Sequence, residues 1–443
     1  MTPLHLLQPR HHIARAPVSR QLTRLRHICL GLVCVATAVC AVIPAVLTGA
    51  SIALAADQNP AGESVRPEVG TPLQAAQELI KAQKYKQALA KIQEADAAKD
   101  KTAYEIYVID RLRGAAAAAA GDTEMAIKSF TSAINSGRLS SPEKLKMMEA
   151  LAGMSYRRKD YASAIAWIAR FGDEGGTGED MHRLLIQAYY LNNDFPDAEK
   201  ELRSELEADE RAGRVPPEDR LQLLASCYLK QKNAQGYATT LEKLVSYYPK
   251  KDYWADLVYR TETRAGFAPR LVLDLYRLKL ALNIPITAGQ YMEMAQLALQ
   301  EGFPAEAKSF VDRGFATGAL GSGAEIDREK RLRDLTTKRA AEDQKTLSRD
   351  EAEAAAAKDG TALVNTGFAF VVGGQIEKGI DMMEQGIRKG GLKHPDDARL
   401  HLGIAYLRAG QKEKAVQTFK GVQGTDGAAD LARLWTLYAR RPA

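Results

Sequence analysis

The chain has few of the residues that carry chemistry. Of its 443 residues, four are Cys, seven His and three Trp. Cys29, Cys34 and Cys40 crowd near the N-terminus, so Cys227 stands alone beyond residue 56. An intramolecular disulfide is thereby excluded there, and buried packing is the expected role of that thiol. Past residue 56 the only His are His182, His394 and His401. His394 and His401 are separated by a Pro-containing boundary without a paired carboxylate motif, a poor set for holding a metal. Charge of one sign is also scarce. The formal net charge of +6 includes five Arg (Arg10, Arg15, Arg20, Arg24 and Arg26) in the first 27 residues, and without them 56 bases face 55 acids. A nearly neutral chain gives no case for a nucleic-acid partner.

Motifs for covalent chemistry are equally thin. Ser141 and Lys144 have the S-x-x-K spacing of some acyl-enzyme nucleophiles, but the companion K-T-G is missing. Ser141 before Pro142 reads better as a helix N-cap with Pro at the first position. The stretch GDEGGTGED, residues 172–180, has no Lys for a phosphate and follows no strand, so it reads as an inter-element turn. Neither catalysis nor a cofactor is expected.

The two ends differ from the rest. Residues 1–27 are basic with no acid, and residues 28–56 form an apolar run without charge. This is the shape of an export signal, and Ala53-Leu54-Ala55 supplies a small-x-small cleavage site. The alternative is an uncleaved anchor, since about 20 apolar residues span a bilayer and Pro44 does not forbid it. Either way the flanking charges place the remainder outside the cytoplasm, with a periplasmic location expected. Residues 57–71, polar and Pro/Gly-containing, read as a flexible tether. At the C-terminus Leu431, Leu434, Trp435 and Tyr438 make an apolar helical stripe that reads as a capping helix over residues 425–443.

Between the ends, one pattern recurs. In LGIAYLRAGQKEKAVQTF, residues 402–419, Leu402, Ala405 and Tyr406 share a helix face, Gly410 stops that helix, and Ala415 and Phe419 lie on one face of a second. Gly403 and Ala415 are the small residues that let the two helices cross closely. With Ala415 as anchor, small or apolar residues recur at Ala88, Ala126, Ala164, Ala198, Tyr237, Ala307 and Gly379. The gaps are 38, 38, 34, 39, 70, 72 and 36, the long ones being two units each. A hairpin of this size cannot bury its own apolar face, so copies must stack.

These copies resemble the tetratricopeptide repeat, on Leu402-Gly403, Tyr406, Gly410, Ala415 and Phe419. The resemblance returns at Tyr291, Met294-Ala295, Ala298, Gly302, Ala307 and Val311, and again at Gly367, Phe370, Gly374, Gly379, Met383 and Gly386. It implies an all-α, right-handed solenoid of roughly nine to ten helix-turn-helix hairpins. The expected segments are residues 72–250 and 251–322, the latter opening with a divergent unit at Trp254, then a charged divergent helical unit at 323–360 and repeats at 361–424. The seven-residue stretch Gly114–Ala120, one Gly and six Ala, is expected to serve close helix packing.

The same resemblance implies a concave groove lined by the first helix of each hairpin. Carried over by position, it assigns Arg111, Tyr156, Arg157, Arg183, Gln187 and Tyr190 to a surface suited to an acidic extended peptide. It assigns Val364, Asn365, Phe368, Val371, Leu400, Ile404 and Leu407 to an apolar stretch suited to an amphipathic helix, with fold-back of the Leu431–Tyr438 helix as the alternative. The Lys and Asn set of the chaperone-binding carboxylate clamp is incomplete, Asn365 being a scattered candidate. The expected protein is a non-catalytic envelope scaffold of a bacterium that holds protein or peptide partners. A membrane-anchored assembly factor for a transport, secretion or polysaccharide-export complex is the alternative, and a glycan ligand also stays open because Tyr156 and Tyr190 offer rings to stack on sugars.

Overall fold

A computed structural model describes residues 63–441. The basic leader at 1–27, the apolar run at 28–56 and the first part of the tether lie outside the described residues. Regular structure among the described residues is helical. The helices are α1 (Pro67–Lys81), α2 (Tyr85–Asp96), α3 (Ala103–Ala120), α4 (Thr123–Asn135), α5 (Ser141–Arg157), α6 (Tyr161–Asp173) and α7 (Glu179–Leu191). Next come α8 (Phe195–Arg211), α9 (Glu218–Lys230), α10 (Ala234–Tyr247), α11 (Lys251–Glu262), α12 (Val272–Ala281), α13 (Ala288–Gln300) and α14 (Pro304–Ala316). The rest are α15 (Ile326–Ala356), α16 (Thr361–Val372), α17 (Ile376–Lys389), α18 (Pro395–Arg408), α19 (Lys412–Phe419) and α20 (Ala428–Ala439). A 3-10 turn, Pro269–Leu271, leads into α12.

The sequence period reappears as a backbone conformation. Gln83, Gly121, Lys159, Asn193, Lys232, Gly302, Gly374 and Gly410 all have φ between 57° and 94°. Each sits five residues before one of the anchors that set the period, in the turn between two helices. At each turn an amide just past this residue donates back to a carbonyl of the preceding helix, as Asp122 does to Ala117, Asp160 to Ser155 and Gln411 to Tyr406. That left-handed stop satisfies carbonyls a helix end would otherwise leave bare. The second helix then starts at once. The carboxylates of Asp122 and Asp160 accept the amides of Met125 and Ser163 at 3.0 and 3.1 Å.

Small residues set how closely the helices cross. Gly403 lies under the Phe419 ring and Gly114 under the Phe130 ring, so a methyl group at either would collide with the aromatic side chain. The α16/α17 hairpin is tighter, with Gly360 against Gly386 and Gly367 against Gly379, backbone to backbone. The anchors themselves, from Ala88 to Ala415, are buried.

The described chain divides into two compact units, the first ending at Ala188 and the second beginning at Tyr189. In unit 1, Val69, Leu73, Ala88 and Ile92 from α1 and α2 meet Ile109 and Leu112 of α3 in one core. Ala117, Phe130, Met148, Leu151 and Phe171 continue it through α3–α6. Full burial of each such Leu, Ile or Phe is worth about 1.5–3 kcal/mol.

Unit 2 has a different plan. Its hairpins run to α14, the 31-residue α15 follows, and α16–α20 come back against the earlier helices. Helix α20 packs on α18 and α19 and also on α10, α11 and α12. On α15 the fully buried residues are Glu329, Leu332 and Thr336 near its start and Ala354 near its end. Residues 337–353 between them hold no fully buried side chain, so this stretch is a strut rather than a core helix.

Two expectations are corrected. Residues 67–71, expected as tether, are the first turn of α1, which Pro67 can open because its missing N–H would be unsatisfied there anyway. The charged unit at 323–360, expected to be helical, is one long helix, since it lacks a Gly or Asn stop. Ser140, not Ser141, caps α5. Its amide and hydroxyl donate to the Glu143 carboxylate at 3.3 and 2.7 Å.

Candidate functional site

In unit 1 the groove positions fall on α3, α5 and α7. Arg111 is half-buried and donates to Glu143 at 2.5 Å and to the Tyr107 hydroxyl at 3.4 Å. Arg183 is exposed and pairs with Asp180 one turn back. Arg157 is exposed at the end of α5, with no ion pair among the described residues. The Tyr156 hydroxyl donates to Gln187 at 3.1 Å, and the Tyr156 ring meets Tyr161 edge-on at 5.5 Å. Burial raises the Tyr156 hydroxyl above its ordinary range, with Tyr161 adding to it. This face is a mixed one, in which Arg111 and Arg183 stand beside carboxylate partners and Arg157 does not.

The arrangement around Tyr156 repeats in unit 2. Tyr190 and Ser226 share a hydrogen bond of 2.7 Å, and the Tyr190 ring meets Phe195 edge-on at 5.5 Å. Both tyrosines lie eight residues before an anchor, and Gln187 and Ser226 each lie eleven before the next one. These tyrosines tie one first helix to the following first helix, so their polar ends are engaged in holding the stack.

The apolar C-terminal positions are not an open groove. Val364, Phe368, Val371, Leu400 and Ile404 are all buried, Leu407 is half-buried and Asn365 alone is exposed. Phe368 lies edge-on to Phe303 at 5.2 Å and stacks on the His401 ring at 4.5 Å. The Arg277 guanidinium sits 4.8 Å from its centroid. The reason is the return of α16–α20 against α12–α14, which covers the very positions an open array would expose.

Sequence reasoning missed what lies beside Phe368. Arg277 donates to Asp274 at 2.7 Å and to Glu306 at 2.5 and 3.1 Å, and all three side chains are almost wholly buried. Arg408 reaches Glu306 at 2.9 Å, and His401 Nε2 is 3.1 Å from Asp274. Burial works against the charged Asp274, but His401 and Arg277 outweigh it and hold the carboxyl at about 2. Burial opposes Glu306 in the same way, and Arg277 and Arg408 pull it down. Burial would lower His401, yet the Asp274 carboxylate raises it. Glu301 at the end of α13 is different. Burial pushes it up to about 7, with Arg277 opposing and Asp274 adding. The network joins positions up to 134 residues apart, from Asp274 to Arg408, which no local motif can signal. One clue was present: Asp274, Arg277 and Lys279 interrupt the leucine-rich run LVLDLYRLKLAL at 271–282.

Around this network runs a rim of ion pairs. Arg270 donates to Asp397 at 2.6 and 3.0 Å and to Asp426 at 2.5 Å. Arg264 pairs with Asp430, and Arg433 with Glu242 at 2.7 Å. The Ala268 amide donates to the Asp426 carbonyl at 2.8 Å, and Phe267 covers Gly427.

The other titratable candidates do not converge. Lys144 is paired with Glu174, which removes the base that an S-x-x-K nucleophile at Ser141 would need. His394 is exposed at the N-cap of α18, His401 is taken by Asp274, and His182 lies on α7 in the other unit. The Cys227 thiol is buried and pushed up to about 12, chiefly by burial with Glu199 adding, which leaves little thiolate. Residues 172–180 end α6 and begin α7 as a turn, with Gly176 against the Phe171 ring.

Comparison with known proteins agrees with this architecture. Residues 111–176 match a tetratricopeptide-repeat model, and residues 221–251 and 397–424 match a second one. The matched stretches carry tetratricopeptide repeats, and the fold is all-α among the described residues. No curated protein matches the chain. Solved structures do. The Naa15/Naa10 complex bound to HypK-THB is 16% identical over 83% of this chain, with a TM-score of 0.32. This chain spans 59% of the length of that one. A tetratricopeptide repeat protein from Parabacteroides merdae is 14% identical over 61% of this chain and 99% of its own, with a TM-score of 0.29. The yeast Tom70 structure is 11% identical over 84% of this chain and 95% of its own, with a TM-score of 0.19. Likeness at this level carries no argument about partners.

Proposed function

We propose that the protein is a non-catalytic scaffold of the bacterial cell envelope, exported by its leader, that holds protein or peptide partners along the first-helix face of its repeats. The observation that carries this reading is the α3–α7 face of unit 1. There Arg157 at the end of α5 is exposed without an ion pair among the described residues, and Arg183 on α7 is exposed with a partner, Asp180, that is itself solvent-exposed. Arginines so placed can exchange a weak intramolecular partner for a carboxylate on an incoming chain, at little net cost. The partner reading is thus an extended acidic peptide bound by several modest contacts.

The test is capture from an envelope extract by the full chain and by its R157E/R183E variant, both checked for equal helical content by circular dichroism. Proteins retained by the unaltered chain and lost by the variant support the reading. Equal retention by both removes unit 1 as the docking face. Export rests on residues 1–56. A mature chain shorter by about 55 residues in mass spectrometry, with cleavage near Ala55, favours the soluble periplasmic form, as the usual signal-peptide anatomy requires. An intact N-terminus favours the anchored assembly factor.

A further inference from the structure

Unit 2 is one compact unit whose helices before and after α15 are linked in two ways. The helices up to α14 form the first body and α16–α20 the second, and α15 joins them covalently by a strut with no fully buried side chain over residues 337–353. The second connection is a seam. On its rim Arg264, Arg270 and Arg433 meet Asp430, Asp397, Asp426 and Glu242. Inside it Arg277, Asp274 and Glu306 meet His401 and Arg408, and Phe303 meets Phe368.

Seams built of charge differ physically from apolar ones. Exposed pairs such as those on the rim add little net stability, because the separated charges are well hydrated. The interior pairs lose hydration on closing and recover it on opening, so they specify the fit of the two surfaces more than they strengthen it. Within α16–α20, by contrast, the α16/α17 hairpin is locked backbone to backbone through Gly360, Gly367, Gly379 and Gly386. The body is tighter within itself than the charges make it against its neighbour.

We propose that unit 2 is a clamp: α16–α20 swings as a body on the α15 strut, and the charge seam between α10–α14 and α18–α20 is the latch that holds it shut. Opening uncovers Phe303 together with Phe368, Val364 and Ile404, the last three being apolar positions that the repeat register assigns to a groove. The clamp is independent of the reading of unit 1. Sub-global opening of this kind occurs wherever one cooperative body is tied to another by a weak boundary.

Hydrogen exchange read by mass spectrometry on the full chain tests it. Arg264 and Arg270 are partly exposed, so R264E/R270E sets like charges against Asp430, Asp397 and Asp426 without disturbing a core. In that variant the amides of α12, α18 and α20 are expected to exchange roughly tenfold faster, the scale of a latch weakened by one decade in its equilibrium constant. The amides of α9 and of the α16/α17 hairpin are expected to keep their native rates. In an R270E chain, adding D397R and D426N is expected to restore slow exchange, because Asp397 then changes sign with residue 270 and the like charge at 426 is removed. Unchanged exchange in α12, α18 and α20 overturns the latch. Equal acceleration from α9 to α20 overturns the two-body clamp, since the unit would then open as one. Local acceleration that the restoring pair fails to reverse shows damage other than loss of the charge pairing and also overturns it.

Discussion

Unit 1 and unit 2 use the same repeat and treat its first-helix face in opposite ways. In unit 1, Arg157 and Arg183 stand in solvent and Tyr156 ties one repeat to the next. In unit 2, the residues at corresponding register in the last hairpins, Val364, Phe368, Leu400 and Ile404, lie in the interior. The register fixes which side of the hairpin a residue takes. Whether that side meets water depends on where the rest of the chain goes, and in unit 2 the chain returns upon itself.

The largest expected difference between the two units comes from removing one charge. Arg277→Ala leaves Asp274 and Glu306 buried without their shared cation and is expected to cost about 3–5 kcal/mol. Chemical denaturation followed by tryptophan fluorescence measures it, because Trp254 and Trp435 are both buried in unit 2. The matching change in unit 1, Arg157→Ala, is expected to stay within about 0.5 kcal/mol, as for a surface site without fixed partners. If the two variants lose similar stability, the contrast between a buried and an open face is lost.

Second in size is overpacking at the hairpin crossings. Gly379→Ala drives a methyl group into the Gly367 carbonyl and Val371 and is expected to cost about 1–3 kcal/mol. Gly114→Ala in unit 1 meets only the Phe130 ring, which can move, so its loss in melting temperature should be the smaller of the two. Ala415→Leu, at an anchor with no exposure, belongs with Gly379→Ala at about 1–3 kcal/mol.

The smallest effect is one of pH. Glu301 titrates near 7 in the folded chain, above the ordinary 4.5, so its neutral form favours folding. That contribution is full below 4.5 and is lost as pH rises through about 7. His401 is raised as well, so its charged form also favours folding, fully below 6.5 and less as pH climbs past that value. The depressed Asp274 contributes stability that is full above its ordinary 3.8 and is lost only as pH falls toward about 2, below the range of the other two groups. Unit 2 is therefore expected to lose stability from pH 5 to pH 8, while Glu301→Gln flattens the slope. A melting temperature of unit 2 that rises across that range would reverse the assignment.

What the sequence disclosed is local. The spacing of anchors carries the hairpin period because the left-handed turn, the small crossing residue and the aromatic that covers it all lie within one repeat. Gly410, Ala415 and Phe419 show this, with Gly403 beneath the ring. The α20 helix was legible for the same reason, since Leu431, Leu434 and Trp435 are buried on one helix, but not the earlier helices it also packs on. The closure of unit 2 was not. Arg264 and Asp430 are 166 residues apart, and Asp274 and His401 127 apart. Each looks like an ordinary surface charge until the chain returns. The charged helix α15 was legible as a helix from its run of helix-forming charged residues and Ala without a Gly or Asn stop, though not its place between two groups of repeats.

The turn conformation has one more consequence. At Gly121, Gly302, Gly374 and Gly410 the left-handed turn is free of side-chain conflict, whereas Gln83, Lys159, Asn193 and Lys232 adopt it with a side chain attached. A β-carbon in that region of backbone space carries a penalty of about 1 kcal/mol or more. Hairpins that turn at glycine can close by themselves early in folding, and those that turn at the other four close only once a stacked neighbour offsets the penalty. The chain is thus expected to fold outward from its glycine turns, and the order in which its hairpins become protected should follow the identity of one residue per repeat.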